Sequence, residues 1–301
     1  MSDPVIVTKN LSKHYGKDRG IDNINLEIYA GETFGFLGPN GAGKTTTIRS
    51  ILDFIRPSSG SIEILGLDSV KDSTKIHEKI GYLPGELELF SQMNGRDFLK
   101  YMANLRGNVD WNYVEELIHK LNAQSEKRIG DLSHGNKQKF GLIQAFMHNP
   151  DILILDEPTN GLDPLVQEEF HKILKELKNS GKTVFISSHV MSEVEELCDR
   201  VGIIREGELI AVETVEGLKA KRMQSIEVHF KEKVPENILK DISDVEDVEI
   251  QENVLKAKVP GNSNLDSFIK TIAHYEVTKI IAPEPNLEEI FLSYFKGDKN
   301  E

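Results

Sequence analysis

FGFLGPNGAGKTTTIRSILDF, residues 34 to 54, decides the fold. It continues an apolar run, TFGFLG (33 to 38), with no polar side to offer water, as in a strand covered on both faces. After it, TTIRSILDFI spaces its apolar residues as a helix does. Between the two, GPNGAGKTT fits G-x-x-x-x-G-K-[ST] with Gly38, Gly43, Lys44 and Thr45. Such a turn curls Pro39, Asn40, Gly41 and Ala42 around an anion, with Thr46 in the first helical turn. Backbone N–H groups then face phosphate oxygens, Lys44 bridges the outer phosphates and the Thr45 hydroxyl ligates Mg²⁺. The strand, turn and helix together predict an α/β nucleotide-binding core.

Other apolar runs extend that core. DILILDEP (151 to 158) and TVFISSH (183 to 189) read as further buried parallel strands. By contrast VIVTK (5 to 9), NINLEI (23 to 28) and SIEIL (61 to 65) alternate, predicting a half-buried antiparallel sheet with Gly16, Gly20, Gly31 and Gly60 in turns around it. From about 94 to 147 the apolar spacing is three and four, which predicts an inserted helical lobe. Glu206-Gly207 reads as a hairpin turn. Beyond about 221 the order becomes β-α-β-β-α-β, a split βαβ unit, and NLEEIFLSYF near the end predicts a final helix capped by Asn286. The expected division is 1–220 and 221–301.

Composition narrows the function. A net charge of −13 and pI of about 5.3 argue against nucleic acid as a partner, since that needs clustered Lys and Arg. The single cysteine, Cys198, excludes an internal disulfide and reads as a packed thiol in a helix-like stretch. With no leader-like N-terminus and no long apolar run, the chain is expected to be soluble and cytoplasmic, reaching a membrane only through a partner.

The acidic candidates lie at strand ends, where open α/β sheets bind ligands. Asp156 is placed to hold a metal through water, and Glu157 to polarise the water that attacks a γ-phosphate. His189 ends the next buried strand and is a candidate for the γ-phosphate. Tyr15 is a candidate for stacking on a base. One stretch stays unexplained by these: LSHGNKQKF (132 to 140) is a helix start capped by Ser133, a second site attractive to an anion on a chain that already has one.

In this order GPNGAGKTT, LSHGN, ILILDEP, GLD (161 to 163) and SSH resemble the nucleotide-binding domain of ABC transporter ATPases, over roughly residues 5 to 220. The resemblance implies a P-loop NTPase of ABC type: a RecA-like core, an antiparallel β subdomain and the helical lobe, followed by a small C-terminal α+β domain. It implies ATP, Mg²⁺ and hydrolysis coupled to transport, with Asp163 in the D-loop and His189 in the H-loop. It also explains the second helix start, because in this family the LSGGQ-like segment of one subunit caps the γ-phosphate in the other. Ser133 and Gly135 would then act in trans, in a homodimer or with a paralogue. The chain departs from the family at two places: His134 and Asn136 alter the signature, and Gly85 stands where most relatives carry the Q-loop glutamine.

The same resemblance places Leu87, Leu89 and Phe90 in a loop that meets an integral membrane permease on the inner face of the membrane. EPNLEEIFLSYF is similar to the accessory domain of ABC-2-type exporter ATPases, which implies export. The alternatives are a soluble ABC ATPase acting on ribosomes or DNA, which usually carries two ATPase halves or basic extensions, and a small-molecule P-loop kinase, which gives no reason for LSHGN.

Overall fold

A computed structural model of the chain describes residues 3–16, 18–220, 223–233, 246–260 and 265–282. Two compact units divide it, 1–213 and 214–301.

In the first unit the long strands β1 (Pro4–Tyr15) and β2 (Asp18–Tyr29) form an antiparallel ribbon. β1 then pairs with β4 (Ser59–Ile64), and β4 with β5 (Leu67–Asp68), giving the order β2-β1-β4-β5. Gly20 and Gly60, expected in turns, lie inside strands instead. Gly60 shows why: it has φ 92°, and a Cβ there would meet the Asn10 carbonyl oxygen at 2.4 Å, a close backbone crossing next to a register shift.

The second sheet carries β3 (Thr33–Leu37), β6 (Ile80–Leu83), β7 (Ile152–Asp156), β8 (Thr183–Ser188), β9 (Arg200–Arg205) and β10 (Glu208–Thr214) in the order β10-β9-β3-β8-β7-β6. β9, β3, β8, β7 and β6 run parallel. Every residue of β3, β7 and β8 is buried, which accounts for their unbroken apolar runs. Phe34, Phe36 and Phe185 pack between the sheets, with Phe36 and Phe185 ring centres 5.5 Å apart. Glu206 and Gly207, at φ 50° and 83°, make the tight turn from β9 to β10.

Helices cover this sheet: α1 (Lys44–Ile51), α2 (Ser73–Lys79), α6 (Pro164–Asn179) and α7 (Met191–Leu197). The lobe consists of α3 (Gly95–Arg106), α4 (Trp111–Lys120) and α5 (His134–Phe146). Asn94 and Asp110 cap α3 and α4 by accepting backbone N–H groups. Cys198 follows α7 and is buried, its thiol pushed well above the ordinary range by desolvation.

The second unit begins with α8 (Val215–Ala220) and holds β11 (Met223–Phe230), β12 (Glu246–Gln251), β13 (Val254–Pro260), α9 (Asp266–Ile272) and β14 (Val277–Ile281). Its sheet has the order β12-β13-β11-β14, with Phe230, Leu255 and Phe268 in its core. The first helix expected there, from about 236, and the final helix NLEEIFLSYF lie outside the described residues.

Candidate functional site: the P-loop cavity at the strand ends

Three neighbouring strands, β3, β8 and β7, deliver the site residues to one edge of the parallel sheet. Beyond β3 the P-loop turns into α1 through Gly43, whose φ of 107° is closed to ordinary L residues. Lys44 opens α1 with its ammonium folded back, donating to the carbonyls of Gly38 at 2.6 Å and Pro39 at 3.2 Å. Thr45 donates its hydroxyl to Asp156 Oδ2 at 2.8 Å.

Asp156 ends β7 and is fully buried. A buried carboxylate needs compensation. It receives it from Thr45 and from the Ser187 hydroxyl on the adjacent strand β8. The same Ser187 oxygen accepts the backbone N–H of Glu157 at 3.1 Å, which also reaches the Ser187 carbonyl at 3.2 Å. Glu157 is held in a left-handed conformation, φ 51°, uncommon for a residue with a side chain. Its carboxylate lies 3.2 Å from Lys44 Nζ and 2.6 Å from His189 Nδ1. An ionised carboxylate only accepts, so His189 Nδ1 carries the proton of that contact. Tyr82, nearby, is pushed up to about 12, by burial first and then by the Asp156 charge.

Gly43, Lys44, Thr45, Asp156 and Glu157 border a cavity of about 450 Å³ lined also by Tyr15, Gly20, Asn40, Gly41, Thr46, Gly85 and Glu86. Tyr15 is half exposed at its rim. The hydroxyl of Thr45 and the Asp156 carboxylate are the hard oxygen donors that suit Mg²⁺. The geometry therefore unites Tyr15, the P-loop, Asp156 and Glu157 in one place, with His189 bonded to Glu157.

Ser133, Gly135 and Asp163 are not part of that cavity. Ser133 caps α5, its hydroxyl accepting from the Asn136 N–H at 3.4 Å and side-chain amide at 3.1 Å. Gly135 sits on the loop after β7: a Cβ there would stand 2.0 Å from the Gly161 carbonyl oxygen. Asp163 caps α6 by accepting the Val166 N–H at 3.1 Å. Two participants escaped the sequence reading. Ser187 binds both acids, and Gln138, buried on α5, donates to the Pro158 carbonyl at 3.2 Å. SSH contains the first, but a serine in an apolar strand gives no pattern.

Comparison with known proteins follows the same lines. A family profile described as ABC transporter matches residues 21–160. The bacitracin transport ATP-binding protein BcrA of Bacillus licheniformis is 34% identical over 299 residues, which cover 97% of this chain and 98% of that one. This chain belongs to the ABC transporter ATP-binding proteins. The linearmycin resistance ATP-binding protein LnrL of Bacillus subtilis (strain 168) is 32% identical over 303 residues, 96% of this chain and 97% of the relative. Among solved structures, an ATP-binding subunit of an ABC transporter superposes with a TM-score of 0.67 at 26% identity, covering 71% of this chain and 92% of its own. A dimeric bacterial ABC transporter cassette gives 0.63 at 26% identity, covering 70% and 98%. As an ABC ATPase subunit the protein binds nucleotide and hydrolyses ATP. No described helix is long and apolar enough to cross a membrane.

Proposed function

We propose that this ATPase binds Mg-ATP in the P-loop cavity and, as one half of a two-subunit sandwich, powers export through a separate membrane permease. The observation that supports it most is the convergence of Lys44, Thr45, Asp156, Glu157 and His189 at adjoining strand ends. In this reading free N–H groups of the P-loop between Asn40 and Thr46 cradle the phosphates, Lys44 spans the outer ones and Tyr15 stacks on the base. Thr45 and Asp156 hold Mg²⁺, which supplies charge neutralisation on the phosphate oxygens. Glu157 takes the proton of the attacking water, and His189 positions Glu157 and contacts the γ-phosphate.

Ser133 and Gly135 belong to the second subunit's site, with Asp163 beside the shared boundary. Dimeric cassettes among the solved relatives support this arrangement. The second subunit is another copy or a paralogue. The relatives that match nearly the whole chain are named for bacitracin transport and linearmycin resistance, so the cargo we infer is an antibiotic-like compound, carried outward from the cytoplasmic face. We further infer that 1–220 is the cassette and 221–301 an accessory domain.

Complementation tests the assembly. Lys44→Ala and Ser133→Arg each abolish ATP hydrolysis alone. Mixed, they form dimers with one intact composite site, the P-loop coming from the second variant and the signature from the first, and activity returns. No recovery in mixed dimers shown to form would refute the shared site.

A further inference from the structure

Behind the contact between Glu157 and His189 lies a second acid, away from the cavity. Glu193, half-buried in the first turn of α7, gives both carboxylate oxygens to hydroxyl groups. The Thr159 hydroxyl donates to Oε1, and the Ser188 hydroxyl donates to Oε2 at 2.7 Å. Thr159 and Ser188 are themselves buried. The Ser188 oxygen also accepts the Val190 N–H at 2.9 Å, and its single proton goes to Glu193 as the nearer acceptor, the Val190 carbonyl standing at 3.4 Å. Neither Glu193 nor the two hydroxyl residues border the P-loop cavity.

Their places in the chain give the cluster its meaning. Thr159 comes two residues after Glu157, with Pro158 between them, and Ser188 comes immediately before His189. Glu193 therefore closes a ring. It runs from Glu157 along the chain to Thr159, across the Glu193 carboxylate to Ser188, over one peptide to His189, and back through the 2.6 Å contact of His189 Nδ1 with Glu157. Glu157 needs such a frame, because its φ of 51° persists only where the surroundings over-determine it. On its N-terminal side the N–H is held by Ser187. On its C-terminal side the restraints are Gln138 on the Pro158 carbonyl and Thr159 on Glu193. An acid in the first turn of a helix is favoured by the dipole, but both oxygens of this one are taken by residues outside α7, so the dipole does not account for their aim.

We propose that Glu193 is the positioning residue of the Glu157–His189 pair. It ties the loop after β7 to the end of β8 through Thr159 and Ser188, and so sets where the Glu157 carboxylate stands when it meets the attacking water. This rests on the reading of Glu157 as the base.

The test is a mutant cycle on the full chain, read by single-turnover phosphate release and by binding of a fluorescent ATP analogue. A misplacement of about 1 Å can cost about 10²-fold in rate. Glu193→Ala and Thr159→Val are each expected to slow phosphate release by about 10- to 100-fold while the analogue binds as it does to the wild type. Thr159→Ser, which keeps the hydroxyl, is expected to retain the wild-type rate. In a Glu157→Gln background no base is left to place, and Glu193→Ala is expected to cost nothing further. The same loss repeated in that background would overturn the proposal, as would a loss of analogue affinity as deep as the loss of rate, because Glu193 would then be holding the fold or the cavity. Wild-type rates in Glu193→Ala and Thr159→Val, or a Thr159→Ser as slow as Thr159→Val, would overturn it too. If Glu193→Ala does not fold, Thr159→Val carries the same cycle. A Glu157→Gln chain that releases phosphate at the wild-type rate would instead overturn the base assignment itself.

Discussion

Replacing Glu157 by Gln changes one oxygen for an amide nitrogen and keeps the volume. Two contacts are at stake: Lys44 Nζ at 3.2 Å from Oε1 and His189 Nδ1 at 2.6 Å from Oε2. The remaining amide oxygen satisfies one of them, while the NH₂ faces a donor. Lys44 keeps its carbonyl partners Gly38 and Pro39, so the cradle retains its shape. The nucleotide meets one negative charge fewer beside its γ-phosphate, and binding is expected to hold or tighten. In the proposed mechanism the chemical step loses its base, which general-base catalysis values at about 10²- to 10⁴-fold. At 1.36 kcal/mol per decade that is roughly 2.7 to 5.4 kcal/mol of barrier. Single-turnover release of labelled phosphate reads the rate, a fluorescent ATP analogue reads affinity, and size-exclusion chromatography with ATP reads the dimer, which should accumulate. Phosphate release within tenfold of the wild type would refute the base assignment. A loss of ATP affinity as deep as that of Lys44→Ala would show that Glu157 holds the lysine instead.

Two further expectations concern a half-buried histidine and a buried thiol. His148 hydrogen-bonds the Ile80 carbonyl at 3.1 Å, and burial lowers it to about 4. Between its ordinary value near 6.5 and about 4 the unfolded chain binds the proton and the folded chain does not, so stability falls as pH drops through that window. Chemical denaturation at pH 7 and pH 5 should show a smaller loss in His148→Gln than in the wild type; equal slopes would exclude this histidine as a cause. Cys198 is buried with its thiol raised by desolvation, hence protonated at pH 8. Iodoacetamide should leave it unmodified in the native protein and alkylate it fully in guanidinium, by mass spectrometry; rapid native labelling would contradict the burial.

Much of the parallel core was legible because burial on both faces leaves an unbroken apolar run, as in β3, β7 and β8. β6 was not read: four residues with Gly81 among them offer neither alternation nor length. α2 was missed for a related reason, since it buries one side chain, Ile76, and a single contact makes no period. Cys198 was read inside a helix-like stretch, and it lies just past the end of one. That helix, α7, stops at Leu197, and Arg200 already begins β9. Gly20 and Gly60 misled because glycine marks a close backbone crossing inside a strand as readily as a turn.

At the site, local sequence names the chemistry and strand order brings it together. Lys44, Asp156 and His189 lie at or just beyond the ends of three strands that are widely separated along the chain but adjacent in the sheet, β3 beside β8 beside β7. The register sets Leu37 opposite Ser188 and Asp156 opposite Ser187, so the three chain exits open on the same edge. Parallel strands must end on one edge in this way, and a motif found after any of them points at its neighbours' motifs. The helix start at Ser133 does not follow a strand of this sheet. It comes at the end of the lobe and packs through Gly135 on Gly161, away from the cavity lining. The sequence reads this helix end as attractive to an anion, yet it is held apart from the lining of the P-loop cavity, and that separation is the argument for the proposal that it serves a site in another subunit.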